Sequence, residues 1–165
     1  MRTFKAILLA AALLQGCASY DGRGLVPGKS AAGEVEALMG APAEKLAEAN
    51  GDSVWFYPRN PTGPHSYAVR IGRDGVLRSI EQRLTVENLH KLMLDTTTAK
   101  QVRELLGPPW RVGRLERQQR DVWEYYMYDA VQVEHFLYVQ FSGDGVVREV
   151  LLLRDLRNDV GDARP

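Results

Sequence analysis

The stretch that decides the fold is Val102-Arg-Glu-Leu-Leu-Gly-Pro-Pro109, which is followed by Val122-Trp-Glu-Tyr125. The same pattern occurs earlier in the chain, as Val35-Glu-Ala-Leu-Met-Gly-Ala-Pro42 and then Val54-Trp-Phe-Tyr57. The offset is 67 residues at the start of the pattern and grows to 70 at the Asp-Gly pairs 74–75 and 144–145. Such a slowly drifting offset is typical of a duplicated unit with small loop insertions.

Each copy begins with a short predicted helix. In the second copy, Thr98 and Gln101 have the spacing of a capping box, and Gly107 ends the helix. In the first copy, Ser30 is the predicted cap. The apolar residues at helical spacing are Val35, Leu38 and Met39 in one copy and Val102, Leu105 and Leu106 in the other.

After each helix the apolar period changes from 3.6 to 2 residues, which indicates half-buried strands separated by Asp-Gly hairpins. The predicted fold class is therefore α+β, with two tandem units, each a short helix packed on a three- or four-stranded antiparallel sheet. The predicted core residues are Val35, Leu38, Trp55, Tyr57, Val69 and Ile71, and Val102, Leu105, Trp123, Tyr125, Val139 and Phe141.

The N-terminus has the pattern of an export signal. Arg2 and Lys5 precede the apolar run 6–14, which is too short to span a bilayer. It ends at Leu14-Gln-Gly-Cys17, which resembles the lipobox of bacterial lipoproteins, and Cys17 is the sole cysteine of the chain. We expect residues 1–16 to be a signal peptide and Cys17 to carry lipid; the alternative is an ordinary signal peptide with an incidental cysteine. No Asp follows Cys17, which in a Gram-negative lipoprotein points to the outer membrane.

The expected divisions of the rest are a tether at 17–27, a first repeat at 28–84, a second at 85–154 and a flexible tail at 155–165. Thr85 is the predicted cap of an extra helix before the second copy, whose apolar face holds Leu89, Leu92 and Met93.

Without residues 1–16 the chain loses two of its 21 basic residues and keeps all 21 acidic ones, so its net charge is −2. That balance does not favour a nucleic-acid partner.

The order of lipobox, tether, capped helix, Val-x-x-Leu-x-Gly-x-Pro, Val-Trp-x-Tyr and Asp-Gly hairpin resembles the SmpA/OmlA (BamE-like) family of outer-membrane lipoproteins. The tandem arrangement is similar to the fold of β-lactamase inhibitory proteins, which also have two units. The resemblance implies helices packed on antiparallel sheets and a role in outer-membrane protein assembly. Two departures stand out: the chain has two units, and Asp95 stands where the family motif often has the Gly that Gly28 keeps in the first copy.

The sequence offers no catalytic constellation. His65, His90 and His135 lack the i, i+4 spacing of a zinc helix, and neither a Gly-x-Ser-x-Gly motif nor a phosphate-binding glycine loop is present. Glu134 and His135 are adjacent on a strand, so they point to opposite faces. We therefore expect no enzyme, cofactor, metal or small-molecule substrate.

Two surfaces are candidates for a partner. Tyr126 and Tyr128 fall on the strand face opposite Tyr125, where exposed tyrosines would suit an interface; the alternative is that a helix or the other unit covers them. Arg111, Arg114, Arg117 and Arg120 recur every third residue, which suits lipid phosphates or an acidic partner; the alternative is a solvated hairpin.

The predicted function is that of a lipid-anchored, non-enzymatic interaction module in envelope or outer-membrane protein assembly, at the periplasmic face of the outer membrane. Its expected partners are envelope or barrel-assembly proteins. The alternative is a periplasmic inhibitor or a lipoprotein that binds a small ligand, which would require a deep apolar pocket.

Overall fold

The computed structural model describes residues 21–157 of the 165-residue chain. The first unit holds helix α1 (Ala32–Met39) and strands β1 (Glu44–Ala47), β2 (Ser53–Pro58), β3 (Ser66–Ile71) and β4 (Leu77–Gln82). The second holds α2 (Val86–Leu89), α3 (Ala99–Leu106), β5 (Arg111–Leu115), β6 (Arg120–Tyr128), β7 (Glu134–Phe141) and β8 (Val147–Arg154). Each unit forms a four-stranded antiparallel sheet with its strands in chain order. The α+β class and the two tandem units are thus confirmed. Between residues 21 and 157, no helix is both long and apolar enough to span a bilayer.

Equivalent positions of the two units have equivalent backbones. Both Asp-Gly turns carry a glycine at φ 76°, and in both the following strand pairs through a β-bulge. Gly28 and Asp95 also both adopt positive φ, 78° and 59°. The Asp at position 95 therefore keeps the left-handed conformation of the glycine it replaces, which Asp tolerates better than most residues do.

The helix starts agree with the sequence in the second unit and differ in the first. Thr98 and Gln101 form the predicted capping box. In the first unit the predicted cap Ser30 is wrong: Ala31 occupies that position, and Glu34 Oε2 accepts a hydrogen bond from the Ala31 amide at 2.7 Å. The Ser30 hydroxyl accepts instead from the amide of Val26 at 3.0 Å, which holds the preceding turn.

The extra helix is shorter than predicted. The Thr85 side chain accepts from the Asn88 amide as a cap, but α2 ends at Leu89. Leu89 and Leu92 pack against the second core, whereas Met93 is 59% exposed, so its assignment to the apolar face was wrong. The chain has left the helix before Met93 and no longer follows the helical period.

Both cores lie between a helix and one face of its own sheet. The first contains Val35, Met39, Trp55, Tyr57, Val69, Ile71 and Leu77, and the second contains Leu84, Val102, Leu106, Tyr125, Met127, Leu137, Val139, Phe141 and Val147. The expected core residue Leu38 is only half-buried and its place is taken by Met39; in the same way Leu106 is more deeply buried than Leu105. Val35 with Met39 and Val102 with Leu106 are i, i+4 pairs, which share one side of a helix.

Part of the segment expected to be a tether packs on the first unit. Gly22 is buried, Leu25 contacts the first core, and the Gly28 amide donates to the Leu77 carbonyl at 2.8 Å. At the other end, the Asp155 amide donates to the Glu134 carbonyl at 2.9 Å, one residue beyond β8. The signal segment 1–16, Cys17 and most of the expected tail lie outside the described residues.

Candidate partner-binding cleft

The two units are docked through helix α3. This helix covers the second core on one side. On its other side, Gly107 at its end approaches Phe56, which forms a separate buried cluster with Val54 and Ala68 on the outer face of the first sheet. The Arg103 guanidinium of α3 forms a bidentate ion pair with the carboxylate of Glu44 on β1. Such two-bond pairing fixes orientation as well as distance.

A second contact joins the loop 59–65 of the first unit to strand β6. Asn60 Oδ1 accepts from the Tyr126 amide at 2.8 Å, and Asn60 Nδ2 donates to the Tyr126 carbonyl at 3.2 Å. Strand β5 pairs with β6 only as far as the Arg111–Glu124 partners, so the Asn60 amide occupies the place of a strand partner beyond that point. The loop is therefore held against the second sheet.

An open cleft of about 760 Å³ lies where this loop meets β6. Its walls come from three parts of the chain: residues 21 and 23 ahead of α1, the loop 59–65 with β3, and strands β6 and β7 of the second unit. The residues that line it are Asp21, Arg23, Arg59, Pro61, Thr62, Gly63, Pro64, His65, Tyr67, Tyr126, Tyr128 and Glu134.

Aromatic rings line part of the cleft. The His65 ring is stacked on Tyr67, with centroids 5.9 Å apart, and meets the edge of Tyr128 at 5.6 Å. Burial lowers the pKa of His65 below its usual 6.5, which favours the neutral imidazole. The three rings thus present an apolar surface with polar edges rather than a cationic site.

Charged groups of both signs also line the cleft. The acidic residues are Asp21 and Glu134, and the basic residues are Arg23 and Arg59. Each of the four has an interaction partner within the protein. Burial, followed by hydrogen bonds to Glu134 and Asp155, raises the pKa of the Tyr126 hydroxyl, which stays protonated at physiological pH. A ligand here would therefore meet aromatic faces and a rim of mixed charge.

The expectation that Tyr126 is exposed is wrong, because it is only 8% exposed. Its ring packs against Phe136 at 5.2 Å and lies under the Arg157 guanidinium, while the first unit holds its backbone. Tyr128 is half-buried and contributes to the cleft. The run Asn60-Pro-Thr-Gly-Pro64 marks a loop in the sequence, but nothing in its composition shows which strand it touches.

The arginine segment lies apart from the cleft. Strand β5 is exposed along its whole length, and Arg114 pairs with Asp121 at 2.6 Å, as expected for a solvated hairpin. Arg120 pairs with Glu149 at 2.8 Å, Arg111 lies over the Trp110 ring at 4.2 Å, and Arg117 is exposed in the turn. Whether Arg111, Arg114 and Arg117 bind a partner stays a prediction.

The histidines are dispersed. His65 lies in the cleft, His90 caps the end of α2, and His135 Nδ1 is 2.9 Å from the Val133 carbonyl. Over residues 21–157, no three His, Cys, Asp or Glu side chains are grouped to hold a metal ion.

The sequence matches no protein-family model and no curated protein, so the SmpA/OmlA resemblance stays a prediction. Among solved structures, the chain resembles a DUF4309 family protein (YjgB) from Bacillus subtilis subsp. subtilis strain 168, with 22% identity, 81% of this chain and 84% of that chain covered, and a TM-score of 0.32. It also resembles a protein from Streptococcus mutans named as a candidate beta-lactamase inhibitor, with 11% identity, 74% and 82% coverage, and a TM-score of 0.29. At these TM-scores, neither likeness says anything about the function of this chain.

Proposed function

We propose that this protein is a non-enzymatic binding module that holds a segment of a partner protein in the cleft between its two units. The observation that carries the proposal is the position of the cleft: it is lined by both units and its loop is fixed by the Asn60–Tyr126 contact. A site held in this way is largely formed before binding, which lowers the entropic cost of association.

The chemistry of the cleft favours a protein segment. Aromatic residues and arginine are both enriched at the centre of protein interfaces. Side chains of a bound segment can stack on His65 and Tyr128. Charges of both signs at the rim can pair with a peptide backbone and with its polar side chains. The cleft is open rather than enclosed, unlike the deep apolar pockets that bury most of a small ligand.

The N-terminal anchor would place this cleft close to a membrane. Asp21 lines the cleft and is four residues after Cys17, and four residues extend over at most ~14 Å. With lipid on Cys17, the cleft would therefore lie within reach of proteins embedded in that membrane. This supports an envelope protein as the partner, at the periplasmic face of the outer membrane, and a role in envelope or outer-membrane protein assembly.

Replacing Cys17 with Ala should release the protein from the membrane or leave its signal segment uncleaved. An acylated cysteine anchors through about 0.8 kcal/mol for each buried methylene group, and that attachment would be lost. Membrane fractionation and the mass of the mature N-terminus measure the two effects. An unmodified Cys17, or cleavage at another bond, would rule out the anchor.

Replacing Tyr128 with Ala should weaken partner capture from membranes about tenfold or more, which corresponds to about 1.4 kcal/mol. The full-length chain carries a photo-crosslinking residue at Thr62, and crosslinked partners are identified by mass spectrometry. Arg114→Ala is the comparison, because Arg114 belongs to the other candidate surface, on exposed β5 outside the cleft. Circular dichroism shows whether each variant is folded.

The identity of the captured protein then decides the role. Capture of a barrel-assembly or other outer-membrane component that is lost with Tyr128→Ala supports the assembly role. Capture of a periplasmic enzyme supports an inhibitor instead. If the native chain captures no envelope component, or if Arg114→Ala abolishes capture while Tyr128→Ala does not, the cleft is not the site.

A further inference from the structure

The hairpin loop between β6 and β7 presents an apolar side chain to solvent. Val131 at its tip is 76% exposed, more than any other large apolar residue between residues 21 and 157. Its neighbours Ala130 and Gln132 are also exposed, and neither carries a charge. An exposed valine at such a tip is unusual, because Gly, Pro, Asn, Asp and Ser are the residues that dominate turns.

The one charged residue of this loop is engaged by the loop itself. Asp129 Oδ1 accepts hydrogen bonds from the amide of Val131 at 2.9 Å and from the amide of Val133 at 2.8 Å. The Asp129 amide donates to the Val133 carbonyl at 2.9 Å. The loop is therefore held in one shape, in which its carboxylate is satisfied by backbone amides and Val131 points outward.

Two exposed leucines lie at the same end of the second sheet. The chain after β8 runs beside the base of the loop, because the Asp155 amide donates to the Glu134 carbonyl. In this part of the chain Leu153 is 52% exposed and Leu156 is 62% exposed. We refer to this end of the sheet, which includes loop 129–133, as the apolar end.

The charged side chains at the apolar end have partners within the protein. The Arg157 guanidinium forms a bidentate pair with the buried carboxylate of Asp155 and lies over the Phe136 ring at 4.7 Å. Glu134 and Arg154 each have an interaction partner as well. An arginine can also keep its head group in water while its aliphatic part lies against apolar surface. These charges are therefore compatible with an apolar environment next to the leucines.

The N-terminal segment reaches the apolar end too. Asp21 lines the cleft together with Tyr128 and Glu134, which are the last paired residues of β6 and β7 before the loop. Three uncharged residues, ending in Tyr20, separate Asp21 from Cys17. Tyrosine is enriched at membrane interfaces. A lipid on Cys17 would therefore anchor the protein beside its apolar end.

The opposite end of the second sheet is charged. Because the strands are antiparallel and in chain order, the turns 116–119 and 142–146 both lie at that end. They carry Glu116, Arg117 and Asp144. Strand β6 has nine residues, so at about 3.3 Å per residue its first and last residues are about 26 Å apart. The turn with Arg117 is thus far from the anchored end.

We propose that the apolar end of the second sheet rests in the membrane interface, with Val131 and Leu156 inserted among the lipid acyl chains. The occupant is the apolar layer of the bilayer rather than a phosphate group, because the most exposed side chains here are aliphatic. The inference rests on the lipid at Cys17 in the proposed function and adds an orientation to it. In that orientation the turn with Arg117 points away from the membrane and does not meet lipid phosphates.

Photo-crosslinking to lipid tests the proposal. The lipidated chain is reconstituted in phosphatidylcholine vesicles, which carry no net charge, with a benzophenone side chain at position 131, 156 or 112 in turn. Mass spectrometry measures the yield of lipid adducts. Yields at 131 and 156 should exceed the yield at 112 by about tenfold or more, because burying one side chain of this size is worth at least that factor.

Position 112 is the matched control. Val112 is also an exposed valine, at 66%, but it lies on β5 opposite Trp123. Trp123 is five residues before Tyr128 on β6, or about 16 Å from the apolar end. Exposure alone would therefore give similar yields at positions 112 and 131, whereas insertion of the apolar end would not.

A charged substitution tests whether the loop and the segment after β8 insert together. Val131→Asp should lower the adduct yield at position 156 by about fivefold or more, because moving a carboxylate out of water opposes insertion. Val112→Asp makes the same change on β5 and should leave that yield unchanged. Circular dichroism shows whether both variants are folded.

Flotation of the chain with the vesicles separates this contact from the anchor. Equal yields at the three positions in a chain that floats overturn the proposal and leave the anchor in place. A folded Val131→Asp variant that keeps the full yield at position 156 overturns it as well. A chain that does not float overturns the anchor and this contact with it. Partner capture by the cleft is measured separately, so its failure would leave these results unchanged.

Discussion

Replacing Tyr125 with Ala should lower the free energy of unfolding by about 3–5 kcal/mol, the range for truncating a large buried aromatic side chain. Tyr125 is 0% exposed at the centre of the second core, and its hydroxyl donates to the Gly107 carbonyl at 3.2 Å. The substitution therefore opens a cavity beneath α3 and removes a partner from the end of that helix. Urea unfolding followed by tryptophan fluorescence measures the change.

Trp123→Ala is the matched comparison, and it should cost clearly less. The sequence places Trp123 in the core beside Tyr125, but the structure leaves it half-buried, against Phe141 at 4.8 Å. Part of its surface stays in water when the protein folds, so less transfer free energy is lost on truncation. Equal costs for the two substitutions would contradict this difference in burial.

Replacing Gly107 with Ala should destabilise the protein more than replacing Gly40 with Ala, by about 1–3 kcal/mol. The two glycines have nearly the same backbone, at φ 83° and 85°, so both substitutions carry the same strain of a left-handed residue. Only at Gly107 does the added Cβ come against Ser66 and Phe56 of the other unit. The difference between the two variants therefore isolates the contact between α3 and the first sheet.

Thermal or urea unfolding of both glycine variants measures this difference. A variant that loses the docking but keeps its separate units would also show two transitions in place of one. If Gly107→Ala and Gly40→Ala have equal effects, the end of α3 does not pack closely on the first sheet.

The sequence by itself determined what depends on neighbours along the chain. The two Asp-Gly turns and the capping box of Thr98 with Gln101 are local patterns, and both formed as predicted. The alternation of β7 also buries Leu137, Val139 and Phe141 as predicted, although Gln140 on the opposite face is buried as well. The duplication determined the tandem architecture, since two copies of one pattern fold in one way. Where a local signal was ambiguous, the predicted position was wrong by one or two residues. The cap of α1, for example, is Ala31 and not the predicted Ser30.

The tertiary structure alone decided the docking of the units, and with it the candidate sites. Glu44 and Arg103 are 59 residues apart, and Asn60 and Tyr126 are 66 apart, so no periodicity connects them. A strand pattern assigns Tyr126 to the face opposite Tyr125, but whether that face meets water depends on the loop and the tail that reach it. Burial is a property of the packed units, and the order of residues within one unit cannot specify what the other unit covers.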